Sequence, residues 1–318
     1  MLARLKTLLE LRAARRPAPP GLPATRWLVL EQGSNPSTDY YIRPQIEASG
    51  LPACFRHIDR DMPQEQDLAP GTRVVIVRYL TPAWAEALRR RHAELAEVIY
   101  FMDDELLEPR HWKDLPAAYR KKLDTYCRRM RPAIQRLCHS YWGSTPQLCA
   151  RHAALGMRHI APQALPEDRQ RAVEPVPATG PVHIFYHGSS AHLAEMEWLQ
   201  PVMAEVLAAC PRAHFEIIGN HGVNKRFRGL PRTRILHPMS WPNYLAHCRA
   251  MSGHIGLAPL LPGPFNGGRS HTRIFDITRH AATGLYADAP PYAGHVPASQ
   301  CLPMESTAWR DALIRLCR

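Results

Sequence analysis

Short apolar runs alternate with amphipathic stretches along most of the chain, and turn-forming residues separate them. The apolar, β-branched runs that predict strands lie at residues 26–30, 73–77, 97–102, 139–145, 182–186, 214–219, 234–237, 254–259 and 284–287. The amphipathic stretches that predict helices lie at residues 40–48, 81–96, 119–138, 191–209, 241–250 and 273–282. Strands that alternate with helices predict parallel sheets covered by helices on both faces.

This pattern stops at the polar, proline-bearing stretch 162–181 and then restarts. A chain of 318 residues is long enough for two domains of Rossmann size. We therefore predict an α/β protein with two Rossmann-like lobes. The predicted boundaries are an N-terminal segment 1–20, a first lobe 21–163, a linker 164–181, a second lobe 182–300 and a C-terminal helix 301–318.

The charge of the chain indicates the class of its partner, and the cysteines indicate the compartment. Lys and Arg number 40 against 28 Asp and Glu, which gives a net charge of +12 and favours an anionic partner. Three anionic partners fit this charge equally well: nucleic acid, an anionic membrane surface and a phosphorylated ligand. The eight cysteines include no CxxC pair, so neither a structural metal nor a disulfide framework is expected, and a reducing cytoplasm is the predicted compartment.

Leucines share residues 1–16 with arginines and a lysine, which predicts a basic amphipathic helix. Such a helix binds anionic lipid headgroups, which would place the protein at the inner face of the membrane. A helix packed on the body of the protein, or a frayed terminus, has the same pattern. No run of 18 apolar residues occurs in the sequence, so no membrane-spanning segment is expected.

Two glycine-serine turns directly follow predicted strands. Gly33 and Ser34 follow the first strand, and Gly188, Ser189 and Ser190 follow the first strand of the second lobe. Glycine lets the backbone approach a phosphate, and backbone amides at the start of a helix favour an anion. We predict that both turns bind phosphate, although solvated turns of this composition are also common.

A third loop, at residues 266–273, is richer in phosphate-binding groups. It contains Asn266, Gly267, Gly268, Arg269, His271 and Arg273, and it lies between a predicted strand and a helix. Arginines four residues apart at the start of a helix can contact one diphosphate together. Because arginine is unfavourable at a helix N-terminus, a bound anion explains this placement better than helix stability does. A solvated basic loop is the alternative.

At this point the sequence resembles the GT-B glycosyltransferases. Residues 186–190, 215–220, 244–260 and 270–288 are similar, in order and type, to the elements of that group's C-terminal lobe, and residues 141–148 to the element that closes its N-terminal lobe. The resemblance implies two Rossmann-like lobes with the active site in the cleft between them. It also implies a metal-independent glycosyltransferase that uses a nucleotide-sugar as substrate and needs no cofactor.

The resemblance also assigns residues to the donor. Arg273 takes the position of the lysine that contacts donor phosphate, and Asp276 that of the glutamate on the donor ribose or sugar. Arg269, Gly267, Gly268 and His271 would line the donor. Gly268 stands where the large retaining families have a first glutamate, so the stereochemical outcome is open.

One further pair would contact the donor. His237 and Pro238 resemble the His-Pro pair of transferases that use cytidine-linked sugars.

The acceptor side needs a base. Asp39, Asp103 and Asp104 follow strands of the first lobe and are predicted catalytic residues, with solvated loop carboxylates as the alternative. The acceptor is expected to be a glycan or a lipid-linked molecule in bacterial cell-surface polysaccharide or glycolipid synthesis. A sugar-nucleotide epimerase of the same fold stays open. A basic nucleic-acid-binding protein stays open as well, although clustered aromatics and a known binding module are missing from the sequence and nucleic acid is not expected.

Overall fold

The computed structural model describes residues 17–168, 172–251 and 253–318, without the side chain of Ser190. The predicted amphipathic helix at 1–16 therefore lies outside the described residues. The strands are β1 (Arg26–Glu31), β2 (Ala53–His57), β3 (Thr72–Val77), β4 (Glu97–Met102), β5 (Ser140–Gly143), β6 (Arg158–His159), β7 (Val182–His187), β8 (Ala213–Ile218), β9 (Thr233–Leu236), β10 (Ile255–Ala258), β11 (Thr283–Ala287) and β12 (Cys301–Leu302).

The α-helices of the described chain are α1 (Arg43–Ser49), α2 (Pro82–Arg91), α3 (Ala117–Leu123), α4 (Arg131–Leu137), α5 (Pro146–Arg151), α6 (Leu193–Ala209), α7 (His221–Phe227), α8 (Trp241–Ala250), α9 (Arg273–Arg279) and α10 (Ser306–Cys317). Threonine side chains cap the N-termini of two of them. The Thr81 hydroxyl accepts a hydrogen bond from the Trp84 amide at 3.5 Å, and the Thr145 hydroxyl accepts one from Leu148 at 3.1 Å. Among the described residues, no helix combines the length and the apolar character needed to cross a membrane.

The chain forms two compact units. The first contains described residues 17–110 and 121–163, and the second contains 111–120 and the described residues from 164 onward. The first unit holds a six-stranded sheet in the order β2-β1-β3-β4-β5-β6, and every neighbouring pair is parallel. Its central strands β1, β3 and β4 are almost continuously buried, as strands covered on both faces must be.

The second unit holds a parallel six-stranded sheet in the order β12-β11-β10-β7-β8-β9. Its core joins the central strands to the apolar side of α6 and to α10, with Trp309 fully buried. The predicted linker 164–181 contributes contacts to this unit. The carboxylate of Asp168 accepts from Arg279 at 2.6 Å, and the Glu174 amide donates to the Ala281 carbonyl at 2.7 Å.

The predicted fold class, two Rossmann-like α/β lobes, is confirmed by these two sheets. Several element boundaries were wrong. The helix predicted at 81–96 ends at Arg91, and the helix predicted at 119–138 is divided into α3, a π-helical turn at Asp124–Arg128 and α4. Helix α6 continues through Pro201.

Candidate active site

The second unit reverses its strand order between β7 and β10. From β7 the chain builds β8 and β9 on one side, and from β10 it builds β11 and β12 on the other. Loops that follow the two strands at such a switch point diverge and leave a crevice, where ligands of open parallel sheets bind. The Gly188–Ser189 turn follows β7, and the basic loop 266–273 lies between β10 and α9. The topology therefore brings two of the three predicted phosphate loops to one edge of the sheet.

Arg273 links these two loops. Its Nη1 donates a hydrogen bond to the carbonyl oxygen of His187, the last residue of β7. The same nitrogen lies 3.3 Å from Oδ2 of Asp276, and the guanidinium lies 5.6 Å from the centre of the Tyr186 ring. The other oxygen of Asp276 accepts from Arg279 at 3.2 Å. A carboxylate between two arginines fixes both guanidinium groups, so Asp276 holds Arg273 at the end of β7.

The sequence predicts that Arg269 lies on the first turn of the helix, but in the structure it precedes the helix. It follows a single 3-10 turn at Asn266–Gly268 and precedes α9. Its Nη1 lies 2.5 Å from Nε2 of His192, and its guanidinium lies 5.1 Å from the centre of the Phe265 ring. The two arginines therefore contact different residues of the segment after β7, Arg273 the carbonyl of His187 and Arg269 the ring of His192.

Glu195, which the sequence analysis missed, holds the basic loop in place. It lies in the first turn of α6 and is 1% exposed. Its Oε1 accepts from the side-chain amide of Asn266 at 2.7 Å and from the backbone amide of Leu261 at 3.2 Å. A buried carboxylate that accepts backbone and amide donors is a strong local anchor. It fixes the loop after β10 to the helix after β7.

The protonation of this network follows from its donors. Arginine only donates, so Nε2 of His192 accepts from Arg269, and the ring proton lies on Nδ1, 3.6 Å from Glu195. Burial, together with the charge of Arg269, lowers the pKa of His192 to about 4, which keeps the ring neutral. Burial opposes ionisation of Glu195, but the contact with His192 and the charge of Arg269 outweigh it and hold its pKa at about 2.

The remaining predicted donor residues fall in different places. Gly188 is buried and Ser189 is exposed, and Gly267 and Gly268 form the 3-10 turn. The His271 ring stacks on His295 with centroids 3.8 Å apart. His237 is exposed after the edge strand β9, which β8 separates from β7, so the structure does not group it with the two loops.

Gly33 and Ser34 lie in the first unit, after β1. Gly33 has a φ of 79°, a conformation that favours glycine. The side-chain amide of Asn35 donates to the Gly33 carbonyl and to Glu31, both at 2.9 Å, so the turn is held by the buried end of β1. Burial raises the pKa of Glu31.

A second polar cluster lies in the first unit and includes two predicted catalytic residues. Asp103 and Asp104 follow β4, and both pair with Arg78 after β3, at 3.3 Å and 3.1 Å. The Ser37 hydroxyl donates to Asp103. Burial raises the pKa of Asp103, and the charge of Arg78 opposes that rise without cancelling it. A buried carboxyl with a raised pKa is typical of a general base.

Arg78 has a φ of 69°, a conformation that is rare for a residue with a side chain. The Tyr100 hydroxyl donates to its carbonyl at 2.8 Å, which holds the strained turn in place. Strain of this kind concentrates at functional sites. The sequence pattern does not predict it. The third predicted catalytic residue, Asp39, pairs with Arg43 at 2.5 Å on the same helical segment.

Solved structures of glycosyltransferases are similar to this chain. An apo structure of OtsA superposes with a TM-score of 0.52 at 11% identity, over 92% of this chain and 91% of that chain. A variant of S. aureus TarM, in complex with fondaparinux, alpha-GlcNAc-glycerol and UDP, gives a TM-score of 0.48 at 7% identity, over 79% and 49%. A variant of the Thermobaculum terrenum O-GlcNAc transferase gives 0.49 at 15% identity, over 99% and 66%.

The chain therefore spans about half of the TarM chain and about two thirds of the O-GlcNAc transferase chain. No model of a protein family matches the sequence, and no curated protein matches it. The two parallel six-stranded sheets and the likeness to OtsA define the class of fold. The chain has the GT-B fold, the two-lobed fold of a large group of glycosyltransferases.

Proposed function

We propose that the protein is a glycosyltransferase that moves a sugar from a nucleotide-sugar donor to a glycan or lipid-linked acceptor. The observation that carries the proposal is the hydrogen bond from Arg273 to the His187 carbonyl. It joins the basic loop after β10 to the glycine-serine turn after β7, at the switch point of a GT-B-type second lobe. Arginines, glycines and a short hydroxyl converge there, which suits a diphosphate.

The chemistry of transfer fits these residues. When the sugar leaves, negative charge grows on the departing nucleoside diphosphate, and positioned arginines stabilise that charge in the transition state. Arg269 and Arg273 supply this charge without a metal. Each is fixed by a neighbour before the donor arrives, Arg269 by His192 and Arg273 by Asp276, so little reorganisation is needed.

On the acceptor side, we propose Asp103 as the base among the three predicted aspartates. It is held by Ser37 and Arg78, and its raised pKa makes it a better proton acceptor than an ordinary aspartate. Work on bacterial cell-surface polysaccharide or glycolipid at the inner membrane face is the setting that we propose for this chemistry.

Thermal-shift measurements with UDP, GDP, ADP, dTDP and CMP test the donor site. We expect one nucleotide to raise the Tm of the protein, and the shift to disappear in Arg269→Ala. The control Arg226→Ala removes an exposed arginine of the same unit, paired with Glu197, and should keep the shift. Failure of every nucleotide to stabilise the protein would contradict the proposal.

The sugar-nucleotides of the stabilising base are then incubated with and without acceptor. Transfer requires acceptor, whereas an epimerase converts the donor alone. Conversion without acceptor would replace the proposed function by epimerisation. The nucleic-acid alternative would be favoured if the protein showed no turnover and bound duplex DNA or RNA tightly, with a steep salt dependence.

A further inference from the structure

One face of the second sheet carries polar side chains where apolar ones are expected. Phe185 of β7 pairs with Glu216 of β8, so His187, two residues beyond Phe185, lies on the same face as Glu216. Helix α8 contributes His247 to this face. Because β7 and β8 are interior strands, Glu216 and His187 are each only 6% exposed. Burying a carboxylate and an imidazole is costly unless a partner compensates.

The three side chains converge on one point. Nε2 of His187 lies 3.0 Å from Oε1 of Glu216, and Nε2 of His247 lies 2.9 Å from the same oxygen. All three atoms lie within 4.8 Å of one another. In a tetrahedral zinc site with bonds of about 2.0–2.1 Å, neighbouring ligand atoms are about 3.3 Å apart. The observed separations are a few tenths of an ångström shorter, as expected when hydrogen bonds hold the ligands together.

We propose that His187, Glu216 and His247 form a binding site for a divalent transition metal of the Zn²⁺ type. Two imidazoles and one carboxylate are a common protein ligand set for zinc and leave a fourth position for water. This inference goes beyond the proposed glycosyl transfer and does not depend on it. Arg269 and Arg273, not this metal, would face the donor diphosphate.

The surrounding groups support metal ligation. The Tyr244 hydroxyl lies 3.4 Å from Nδ1 of His187, where a second group is needed to orient a metal-bound imidazole. Arg234 lies 3.4 Å from Oε2 of Glu216 and leaves Oε1 for the metal. Metal binding removes the Nε2 proton of His187, so the ring proton moves to Nδ1 and is donated to Tyr244.

One of the three proposed ligands also borders a groove. Glu216 lines a groove of about 820 Å³ in the second unit, together with Arg234 and Thr233. His183, His214 and His254 line the same groove, with ring centroids of neighbouring pairs 5.5 Å and 5.4 Å apart. This second histidine cluster is the natural control, since its imidazoles do not belong to the group of ligand atoms that converges with Glu216.

The test uses the full chain, stripped with a chelator and titrated with Zn²⁺ by calorimetry. We expect one equivalent to bind and the Tm to rise. Glu216→Gln and His247→Ala should each lose at least about a hundredfold in Zn²⁺ affinity, and Tyr244→Phe about tenfold, because it only orients His187. The control His214→Gln/His254→Gln should bind as the wild type does.

His247 is the more exposed ligand, so His247→Ala keeps the test valid if Glu216→Gln fails to fold. Co²⁺ serves as a spectroscopic probe, because nitrogen and oxygen ligands give d–d bands without the thiolate charge-transfer band of a cysteine site. The absence of stoichiometric Zn²⁺ binding would overturn the proposal. So would a thiolate band, or binding that survives His247→Ala and is lost in the His214/His254 control.

Discussion

The guanidinium of Arg273 donates a hydrogen bond to the carbonyl oxygen of His187 at the end of β7. This bond crosses the switch point of the second sheet and joins the first residue of α9 to the strand that precedes the glycine-serine turn. Asp276 and the Tyr186 ring complete the surroundings of the guanidinium. The position of the side chain thus depends on two elements that are distant in sequence, β7 and α9, which makes it sensitive to conservative change.

Arg273→Lys keeps the charge but loses the planar fork that contacts His187 and Asp276 together. We expect the variant to fold with a Tm close to that of the wild type and to lose at least about tenfold in kcat/KM, which corresponds to about 1.4 kcal/mol of transition-state stabilisation. Steady-state kinetics with the donor found by thermal shift measure this loss. Arg226→Ala is the control, and a lysine variant with wild-type kcat/KM would contradict the role of Arg273.

Asp103→Asn tests the acceptor base. A base acts only when it is ionised, so activity falls as the pH drops through its pKa. Because burial raises the pKa of Asp103, the acid limb of kcat/KM should lie above the ordinary value of 3.8. We expect Asp103→Asn to lose about a hundredfold or more in rate and to lose this limb. The matched variant Asp39→Asn should keep the limb, and a limb that survives in Asp103→Asn would exclude Asp103 as the base.

Much of the fold was predictable because burial on both faces leaves continuous apolar runs. β4 and α8 begin and end where the sequence placed them. The elements that were missed are short or mixed in polarity. β2 has the sequence Ala-Cys-Phe-Arg-His with only partial burial, and α7 has seven residues with Asn220 as its cap. The local pattern of apolar residues is weak in such segments, so their secondary structure depends on tertiary contacts.

The candidate site was only partly predictable for a different reason. Glycines and arginines after strands were visible in the sequence, and the strand order brings their loops to one edge. Glu195 was not visible, because its partner Asn266 lies 71 positions further along the chain. Glu216 was missed for a similar reason, since its partners His187 and His247 come from two other elements. Such partners follow from topology and register, not from spacing along the chain.

His192→Gln tests the neutral histidine beside Arg269. The pKa of His192 falls from 6.5 to about 4 on folding, so between these values the unfolded chain binds more protons than the folded one. The free energy of unfolding therefore falls as the pH drops from about 6.5 to 4, by about 3 kcal/mol for this group. Glutamine keeps an acceptor for Arg269 but does not titrate, so its stability should depend less on pH.

Urea unfolding at a series of pH values measures this dependence. The control is His237→Gln, which replaces an exposed histidine of the same unit and should leave the slope as in the wild type. If His192→Gln has the same slope as the wild type between pH 4 and 6.5, His192 is not held neutral by the fold.

Gly188→Ala tests the close packing of the turn after β7. A Cβ at this position would lie 3.0 Å from Cε of Met196 and 3.0 Å from the Tyr186 hydroxyl oxygen, tighter than ordinary van der Waals contact. The turn must then shift away from Tyr186, whose ring packs against Arg273. We expect a loss of about 1–3 kcal/mol in the free energy of unfolding and a loss of about tenfold in nucleotide affinity. Gly229→Ala is the control, because no heavy atom lies within 4 Å of its added Cβ. Calorimetric titration with the stabilising nucleotide measures the affinity, and wild-type binding by Gly188→Ala would mean that the donor does not contact this turn.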